Sequence, residues 1–212
     1  MGIKERKERE KEQRKQLILN AAQKLFFSKG LVNTTMDDIA REAELAKGTL
    51  YLYFSSKENI QYEVSVRGSE LLNKRMREVI DENLSGLENL LRMGWAFINF
   101  SRQENDFFNL FLYFQNLDIE ELGIPKEKIE DYFLHSSPFK LLIDLVEKGI
   151  KDGSLRKDLP VKDIATTLWS NIMGLLIVQQ FNHEIYDIFK VDREKILETN
   201  FEILLNGVSN KE

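Results

Sequence analysis

The 212-residue sequence contains no cysteine and only two histidines. Without thiols, disulfide frameworks, thiolate zinc sites and cysteine nucleophiles are excluded, and two imidazoles leave little for any other metal site. We therefore expect neither a metal nor another cofactor. A chain without cysteine also suits a reducing compartment, so we expect a cytoplasmic protein.

Long apolar runs are missing as well. The N-terminus is charged from Lys4 to Lys15, unlike the apolar stretch of a signal peptide, and no run of about 18 consecutive apolar residues occurs. These features predict a soluble protein that is not exported and has no membrane partner.

The sequence also lacks motifs that are typical of enzymes, such as a phosphate-binding loop, a paired-carboxylate motif or a serine-centred elbow. The two imidazoles, His135 beside a proline and His183 near a helix end, are expected at the surface or at helix caps. We therefore expect a protein that is not an enzyme.

Proline occurs only at positions 125, 138 and 160. Apolar residues recur at helical spacing nearly throughout, and strand-like alternation is absent, which predicts an all-α fold. Pro138 either begins a new helix or kinks a longer one. After residue 56, helices are predicted over residues 57–83, 86–102, 105–117, 126–135, 138–151, 161–181 and 192–205.

Short elements dominate the first 60 residues. A helix with an apolar stripe ends at Gly30, and Thr35 is positioned to cap a second, short helix. After a break at residues 44–46, a third helix is predicted over residues 47–54, in which Leu50 and Phe54 face inward together. Two short amphipathic helices joined by a turn form a helix-turn-helix, whose second helix enters the major groove of DNA.

The outer surface of this third helix carries chemistry that suits DNA. Lysine can reach a guanine edge or a phosphate, threonine can bond a base, and tyrosine hydroxyls can donate to phosphate oxygens. Lys57, in the first turn of the next helix, opposes the helix dipole but suits a phosphate bound at that N-terminus. The DNA-facing residues predicted in this way are Lys47, Gly48, Thr49, Tyr51, Tyr53 and Lys57.

Charge is distributed unevenly along the chain. Residues 1–60 contain 12 Lys+Arg and 9 Asp+Glu, whereas the remaining residues contain 18 and 26, so only the N-terminal part suits DNA. The charged extension over residues 1–13 can continue the first helix and lay basic side chains along the DNA backbone. Its interleaved glutamates favour the alternative, a frayed and solvated face.

Residues 14–62 closely resemble the TetR-type (TetR/AcrR family) transcriptional regulators. The later residues resemble that family only in helix lengths and in the loop at residues 149–156. The resemblance is carried by Thr34-Thr35-Met36-Asp37-Asp38-Ile39-Ala40-Arg41-Glu42-Ala43 and by Ala46-Lys47-Gly48-Thr49-Leu50-Tyr51-Leu52-Tyr53-Phe54-Ser55-Ser56-Lys57-Glu58.

The resemblance implies an Ω-shaped homodimer with three-helix DNA-binding heads and helical ligand-binding domains. It also implies that the last two helices of each chain pair across a two-fold axis as a four-helix bundle. Leu52 departs from the aromatic or polar residue that many members carry, which leaves groove contact and packing as its alternative roles. The positions that fall where this family contacts DNA are Thr35, Lys47, Gly48, Thr49, Tyr51, Tyr53 and Lys57.

We therefore expect a helix-turn-helix DNA-binding domain over residues 1–60 and a helical ligand-binding and dimerisation domain over residues 61–212. Aromatic residues concentrate in the second domain, where they can line an apolar pocket, although such stripes are also typical of plain core. An apolar or weakly acidic small-molecule ligand is expected. The predicted ligand-binding residues are Trp95, Asn99, Phe111, Phe114, Trp169 and Met173.

The helices predicted over residues 161–181 and 192–205 carry more apolar surface than packing against a single neighbouring helix would bury. With Gly174 permitting close approach, they predict a homodimer interface, and burial within one chain is the alternative. A dimer places two recognition helices about 34–36 Å apart, the spacing of half-sites in palindromic double-stranded DNA. The sequence thus predicts a repressor that a ligand releases from its operator, with an activator or a DNA-bound adaptor for a protein partner as the alternatives.

Overall fold

The structure is a computed structural model of the chain and describes residues 2–115, 124–181 and 183–210. The all-α prediction is confirmed. The helices of the described residues are α1 (Ile3–Lys29), α2 (Met36–Glu42), α3 (Lys47–Tyr51), α4 (Lys57–Glu78), α5 (Gly86–Gln103), α6 (Asn105–Gln115), α7 (Lys126–His135), α8 (Pro138–Lys151), α9 (Val161–Phe181), α10 (His183–Ile188) and α11 (Arg193–Val208).

Local signals explain most helix ends. Gly30 ends α1 with a positive φ of 87°, a backbone conformation that glycine adopts without steric cost. Ser137 caps α8 by accepting a hydrogen bond from the Lys140 N–H, so Pro138 begins a new helix. The six-residue helix α10 was not predicted, because a segment of this length shows too little periodicity.

The chain divides into two compact units. The first contains Met1–Ser69 and Asp106–Ile129, and the second contains Glu70–Asn105 and Glu130–Glu212. Most of α6 therefore lies in the first unit, although it follows the boundary that the sequence suggested at residue 60. The helices α4 and α7 contribute residues to both units.

Packing explains why α6 belongs to the first unit. Leu110 of α6 is buried in its core, and Phe107 packs edge-to-face on Phe27 of α1 with ring centroids 5.0 Å apart. A Cβ atom on Gly68 of α4 would lie 2.5 Å from the Phe107 ring, so α4 and α6 make close contact there. The buried residues of this core are Ile18, Leu19, Ala22, Phe26, Ile39, Ala40, Leu50, Phe54, Ile60, Val64 and Leu110.

In the second unit, α5 and α8 approach at two glycines. A Cβ atom on Gly86 would lie 2.3 Å from both the Cα and the N of Gly149. The loop after α8 caps the start of α5, because Asp152 accepts from the Gly86 N–H at 2.7 Å and the Ser154 hydroxyl accepts from the Leu87 N–H at 3.2 Å. These hydrogen bonds satisfy N–H groups that have no partner within the helix.

Candidate functional site

A capping box fixes the start of α2. The Thr35 hydroxyl accepts from the Asp38 N–H at 3.1 Å, and the Asp38 carboxylate accepts from the Thr35 N–H at 3.1 Å. Asp38 also pairs with Lys29 at 2.6 Å and with Arg41 at 3.0 Å, which ties the end of α1 to α2. The hydrogen bonds from Lys29 and Thr35 hold the pKa of the Asp38 carboxyl well below its usual range, so it is ionised at neutral pH. Thr35 thus has a structural role in addition to its predicted DNA contact.

A tight turn connects α2 to α3. Glu44 has a φ of 54°, in the left-handed region, and the Leu45 N–H donates to the Ala40 carbonyl at 2.9 Å. Helix α3 ends at Tyr51, three residues earlier than predicted, with Leu52 as its C-cap. The chain still turns through Phe54, whose N–H donates to the Leu50 carbonyl at 3.1 Å. A helix-turn-helix is therefore present.

Two faces of this segment differ sharply in burial. Leu50 and Phe54 are buried in the core of the first unit, as predicted from their spacing. Tyr53 is half-buried and packs against the same core, so it has a packing role that the sequence did not indicate. Thr49 is also half-buried, whereas the exposed residues are Lys47, Gly48, Tyr51 and Leu52.

Lys47 forms an ion pair with Asp37 at the start of α2. Its Nζ lies 2.7 Å from the Asp37 Oδ1, and this hydrogen bond raises the pKa of Lys47, which is therefore charged at neutral pH. Both side chains are more than half exposed. Exposed pairs contribute little to stability, so exchanging Asp37 for a phosphate costs the fold little.

Lys57 has partners within the chain that the sequence did not indicate. Its ammonium donates to the carbonyl oxygens of Leu31 and Val32, at 3.1 and 3.4 Å, and so holds the loop between α1 and α2. This contact gives a structural reason for a lysine in the first turn of α4, where its charge opposes the dipole. The predicted phosphate contact remains a prediction.

The N-terminal extension is helical from Ile3, which contradicts the expected fraying, whereas its exposed side chains agree with the expected solvated face. Its described side chains are exposed up to Arg14, and Arg6 pairs with Glu10 at 2.8 Å across one turn. The stabilisation from such pairs is a few tenths of a kcal/mol, roughly 0.3–0.5. With 27 residues, α1 is about 40 Å long.

A small apolar cavity of about 50 Å³ lies in the second unit. Its walls come from α4, α5, α8, α9 and α11, and the side chains that line it are all apolar. Trp169 of α9, one of the predicted ligand-binding residues, lines the cavity and stacks on Phe97 of α5, with ring centroids 5.3 Å apart and an interplanar angle of 10°. The ring of Phe201 of α11 lies directly against Gly94: a Cβ atom built on Gly94 would be 2.4 Å from that ring.

Four of the other predicted ligand residues lie outside the cavity lining. Trp95 packs on Phe201 with centroids 5.1 Å apart, and Met173 is buried elsewhere on α9. Asn99 is exposed, and Phe111 lies in the first unit. The side chain of Phe114 is outside the described residues.

The predicted ligand-binding residues did not include Phe97 and Phe201, which line the cavity. Gly94 was a usable signal, since a glycine inside a helix marks close approach by another group.

The helices predicted for dimerisation leave apolar side chains exposed. Ile177 and Val178 of α9 and Ile203 of α11 are each more than a third exposed, and a Cβ atom on Gly174 would meet nothing within 4 Å. Among the described residues, α9 alone is long and apolar enough to cross a membrane by length and composition. This is weak evidence for a membrane span, because a core helix of a soluble protein passes the same test.

Residues 18–63 match the family described as bacterial regulatory proteins, tetR family. The chain is 29% identical over 177 residues to the HTH-type transcriptional repressor KstR2 of Mycobacterium tuberculosis, covering 79% of this chain and 86% of the relative. It is 25% identical over 195 residues to the fatty acid metabolism regulator protein of Bacillus subtilis, covering 92% and 95%.

Solved structures share the fold. A tetR family transcription regulator from Shewanella aligns with a TM-score of 0.67 at 17% sequence identity, covering 92% of this chain and 98% of that one. The helix-turn-helix of the first unit and the sequence relatives together support a DNA-binding transcriptional regulator of the TetR type, and the match to the family model itself covers residues 18–63.

Proposed function

We propose that this regulator is a repressor that binds a palindromic operator as a homodimer and leaves it when a small apolar or weakly acidic ligand occupies the second unit. The observation that carries the proposal is the division of the α3 segment. Leu50 and Phe54 are buried, while Lys47, Gly48 and Tyr51 face solvent beside a capped α2. The repressor role is supported by the name of the KstR2 relative.

Each exposed group has a defined task in this proposal. The Lys47 ammonium binds a phosphate or a guanine edge, and the Tyr51 hydroxyl donates to a phosphate oxygen. Gly48 lets the backbone of α3 approach the DNA, because no side chain intervenes. Thr35, Thr49, Tyr53 and Lys57 complete the proposed DNA contacts.

The exposed apolar surfaces of α9 and α11 support a homodimer interface. Ile177, Val178 and Ile203 would be removed from water if a second copy covered them, which is favourable for apolar surface. Gly174 would permit close approach of two helices. A dimer of this kind supplies two recognition helices to two half-sites.

The apolar cavity supports a ligand whose buried part is hydrocarbon, since no polar side chain lines it. A volume of about 50 Å³ is far below the roughly 300 Å³ or more of small-molecule sites, so ligand entry requires Phe201, Trp169 or their neighbours to move. The small volume is also what a DNA-bound adaptor without an inducer would show, and that is the second candidate. The name of the Bacillus subtilis relative is compatible with an acyl ligand.

Helix α4 can couple ligand to DNA because it belongs to both units. Ile60 and Val64 lie in the core of the first unit, and Met76 lines the cavity of the second. A ligand that favours one position of α4 weakens operator binding by its differential affinity for the two states, typically about 1–3 kcal/mol.

Selection from a random duplex library tests the DNA part of the proposal. Wild-type protein is expected to enrich a palindromic motif, and Tyr51→Ala is expected to bind that motif about tenfold more weakly. Lys47→Ala separates two roles. If the lysine binds a phosphate, the variant lowers the steepness of the plot of log affinity against log salt concentration by about one. If the lysine binds a guanine edge, the variant loses base specificity at one position of the operator.

The matched control is Tyr51→Phe, which keeps the ring and removes only the hydroxyl. Recovery of most of the affinity by this variant would assign the contact to the ring instead of to the hydroxyl. A motif without two-fold symmetry would contradict the dimer, and the absence of any enriched motif at low salt would contradict operator binding.

Ligand release is tested with two amphiphiles of equal chain length, decanoate and decyltrimethylammonium. Decanoate is expected to raise the melting temperature and to displace labelled operator in fluorescence anisotropy, and the cation is expected to do neither. Trp169→Ala should change the response to decanoate without changing operator affinity in its absence. A response to the cation alone contradicts the proposed ligand class, and no response to any apolar compound favours the adaptor.

A further inference from the structure

Leu52 is a large apolar side chain in the candidate DNA-binding site that the protein leaves uncovered. It is 79% exposed and forms the C-cap of α3. This exposure excludes packing within the chain, one of the two roles that the sequence left open. An isolated exposed leucine is ordinary on a protein surface, but this one belongs to the recognition segment itself.

The neighbours of Leu52 on the helix leave it accessible. Gly48 lies four residues earlier and Thr49 three residues earlier, so both share its face. Gly48 has no side chain, and a Cβ atom there would meet no protein atom within 4 Å. The face therefore presents bare backbone at Gly48, the half-buried side chain of Thr49 and the exposed isobutyl group of Leu52, which allows close approach to the floor of a groove.

Chemistry restricts what this isobutyl group can read. Leucine has no hydrogen-bond donor or acceptor, so it cannot bind a phosphate oxygen or a polar base edge. The thymine C5-methyl is the apolar group that base pairs present in the major groove. Contact between the two removes both from water, which is favourable.

We propose that Leu52 is a specificity-determining residue, which selects thymine at one position of each operator half-site by contact with its C5-methyl group. This inference rests on the proposed function, because it needs α3 in the major groove. It adds an apolar contact to a surface whose other proposed contacts are polar.

Deoxyuridine scanning tests the inference, because deoxyuridine differs from thymidine only by the missing methyl group. Each thymine of the operator selected by the wild-type protein is replaced singly, and the affinity is measured by fluorescence anisotropy. At one thymine of each half-site, we expect about fourfold weaker binding by the wild type, which corresponds to about 0.8 kcal/mol for one buried methyl-sized group. Leu52→Ala should bind the two versions of that position equally.

Val32→Ala is the matched control, since Val32 is also 79% exposed but lies in the loop between α1 and α2. Its deoxyuridine profile should equal that of the wild type. Both variants should keep the wild-type melting temperature, because neither residue is buried.

Two results would overturn the inference while leaving the proposed function intact. One is a wild-type protein that enriches a motif but is insensitive to every thymine methyl. The other is an identical deoxyuridine profile for wild type and Leu52→Ala. Failure of the wild type to enrich any motif would instead overturn the proposed function, and the inference with it.

Discussion

Replacing Gly86 with alanine is expected to lower the free energy of unfolding by about 3 kcal/mol. The new Cβ atom would lie 2.3 Å from the Cα and the N of Gly149 and 2.8 Å from the Leu145 carbonyl oxygen. All three are backbone atoms, so no side-chain rotation relieves the clash. Helices α5 and α8 must separate instead, and this loosens the packing of both.

Separation of the two helices would also strain the cap at the start of α5. The Asp152 carboxylate accepts from the Gly86 N–H and from the Ser154 N–H. Burial opposes ionisation of this group, but the hydrogen bonds from Ser154 and Gly86 outweigh it and lower the pKa of Asp152. Because Asp152 is exposed, water can replace the lost hydrogen bond, and the backbone clash carries most of the cost of the substitution.

Thermal unfolding followed by circular dichroism measures the effect of Gly86→Ala. A loss of about 3 kcal/mol corresponds to a melting temperature about 6–12 °C lower for a chain of this size. Gly48→Ala is the matched control, because its Cβ atom meets nothing and alanine favours a helix. Equal melting temperatures for Gly86→Ala and wild type would show that the close contact between α5 and α8 does not exist in solution.

This contact also explains the loop over residues 149–156, which sequence analysis noted only as a resemblance. The backbone of Gly149 lies where α8 meets Gly86, a Cβ atom on Gly149 would lie 2.6 Å from the Leu155 side chain, and Asp152 and Ser154 cap α5 from that loop. None of these partners could be predicted from the sequence, because residues 86 and 149 are far apart along the chain. The sequence shows that a glycine is present, but only the packing shows which backbone approaches it.

The helix-turn-helix, by contrast, could be predicted almost entirely from local signals. Gly30 and Thr35 mark ends that depend on a few neighbouring residues, and the spacing of Leu50 and Phe54 defines the buried face. The role of Lys57 could not be predicted, because its partners are carbonyl groups of a loop 25 and 26 residues earlier. A lysine in the first turn of a helix, where its charge opposes the helix dipole, indicates that it has a specific partner, but it does not identify that partner.

The predicted ligand site shows the same limit. An aromatic stripe indicates that a helix face is buried, but not which unit buries it. The apolar face of α6 packs into the first unit, so Phe111 belongs to the first unit, whereas the cavity that Trp169 lines belongs to the second. Hydrophobic periodicity predicts which face of a helix is buried. Whether that face is buried in the DNA-binding unit or in the ligand-binding unit depends on tertiary contacts.

The position of α6 leads to the second large expected effect. Leu110→Ala should destabilise the first unit by about 2–5 kcal/mol, the range for truncating a buried leucine. Leu110 is 2% exposed and lies in one core with side chains of α1, α2, α3 and α4. Its loss leaves a cavity among helices that position α3, so operator binding should weaken as well.

Leu52→Ala is the matched control for stability, because it removes the same atoms from a leucine that is 79% exposed. Urea unfolding should give a free energy within about 0.5 kcal/mol of the wild type for Leu52→Ala and a clearly lower one for Leu110→Ala. The two variants then separate two causes of weak DNA binding. Leu52→Ala removes the proposed thymine contact from a stably folded first unit, whereas Leu110→Ala destabilises the first unit itself. If Leu110→Ala unfolds at the wild-type urea concentration, α6 is not part of the core that supports the helix-turn-helix, and a head limited to residues 1–60 becomes the better description.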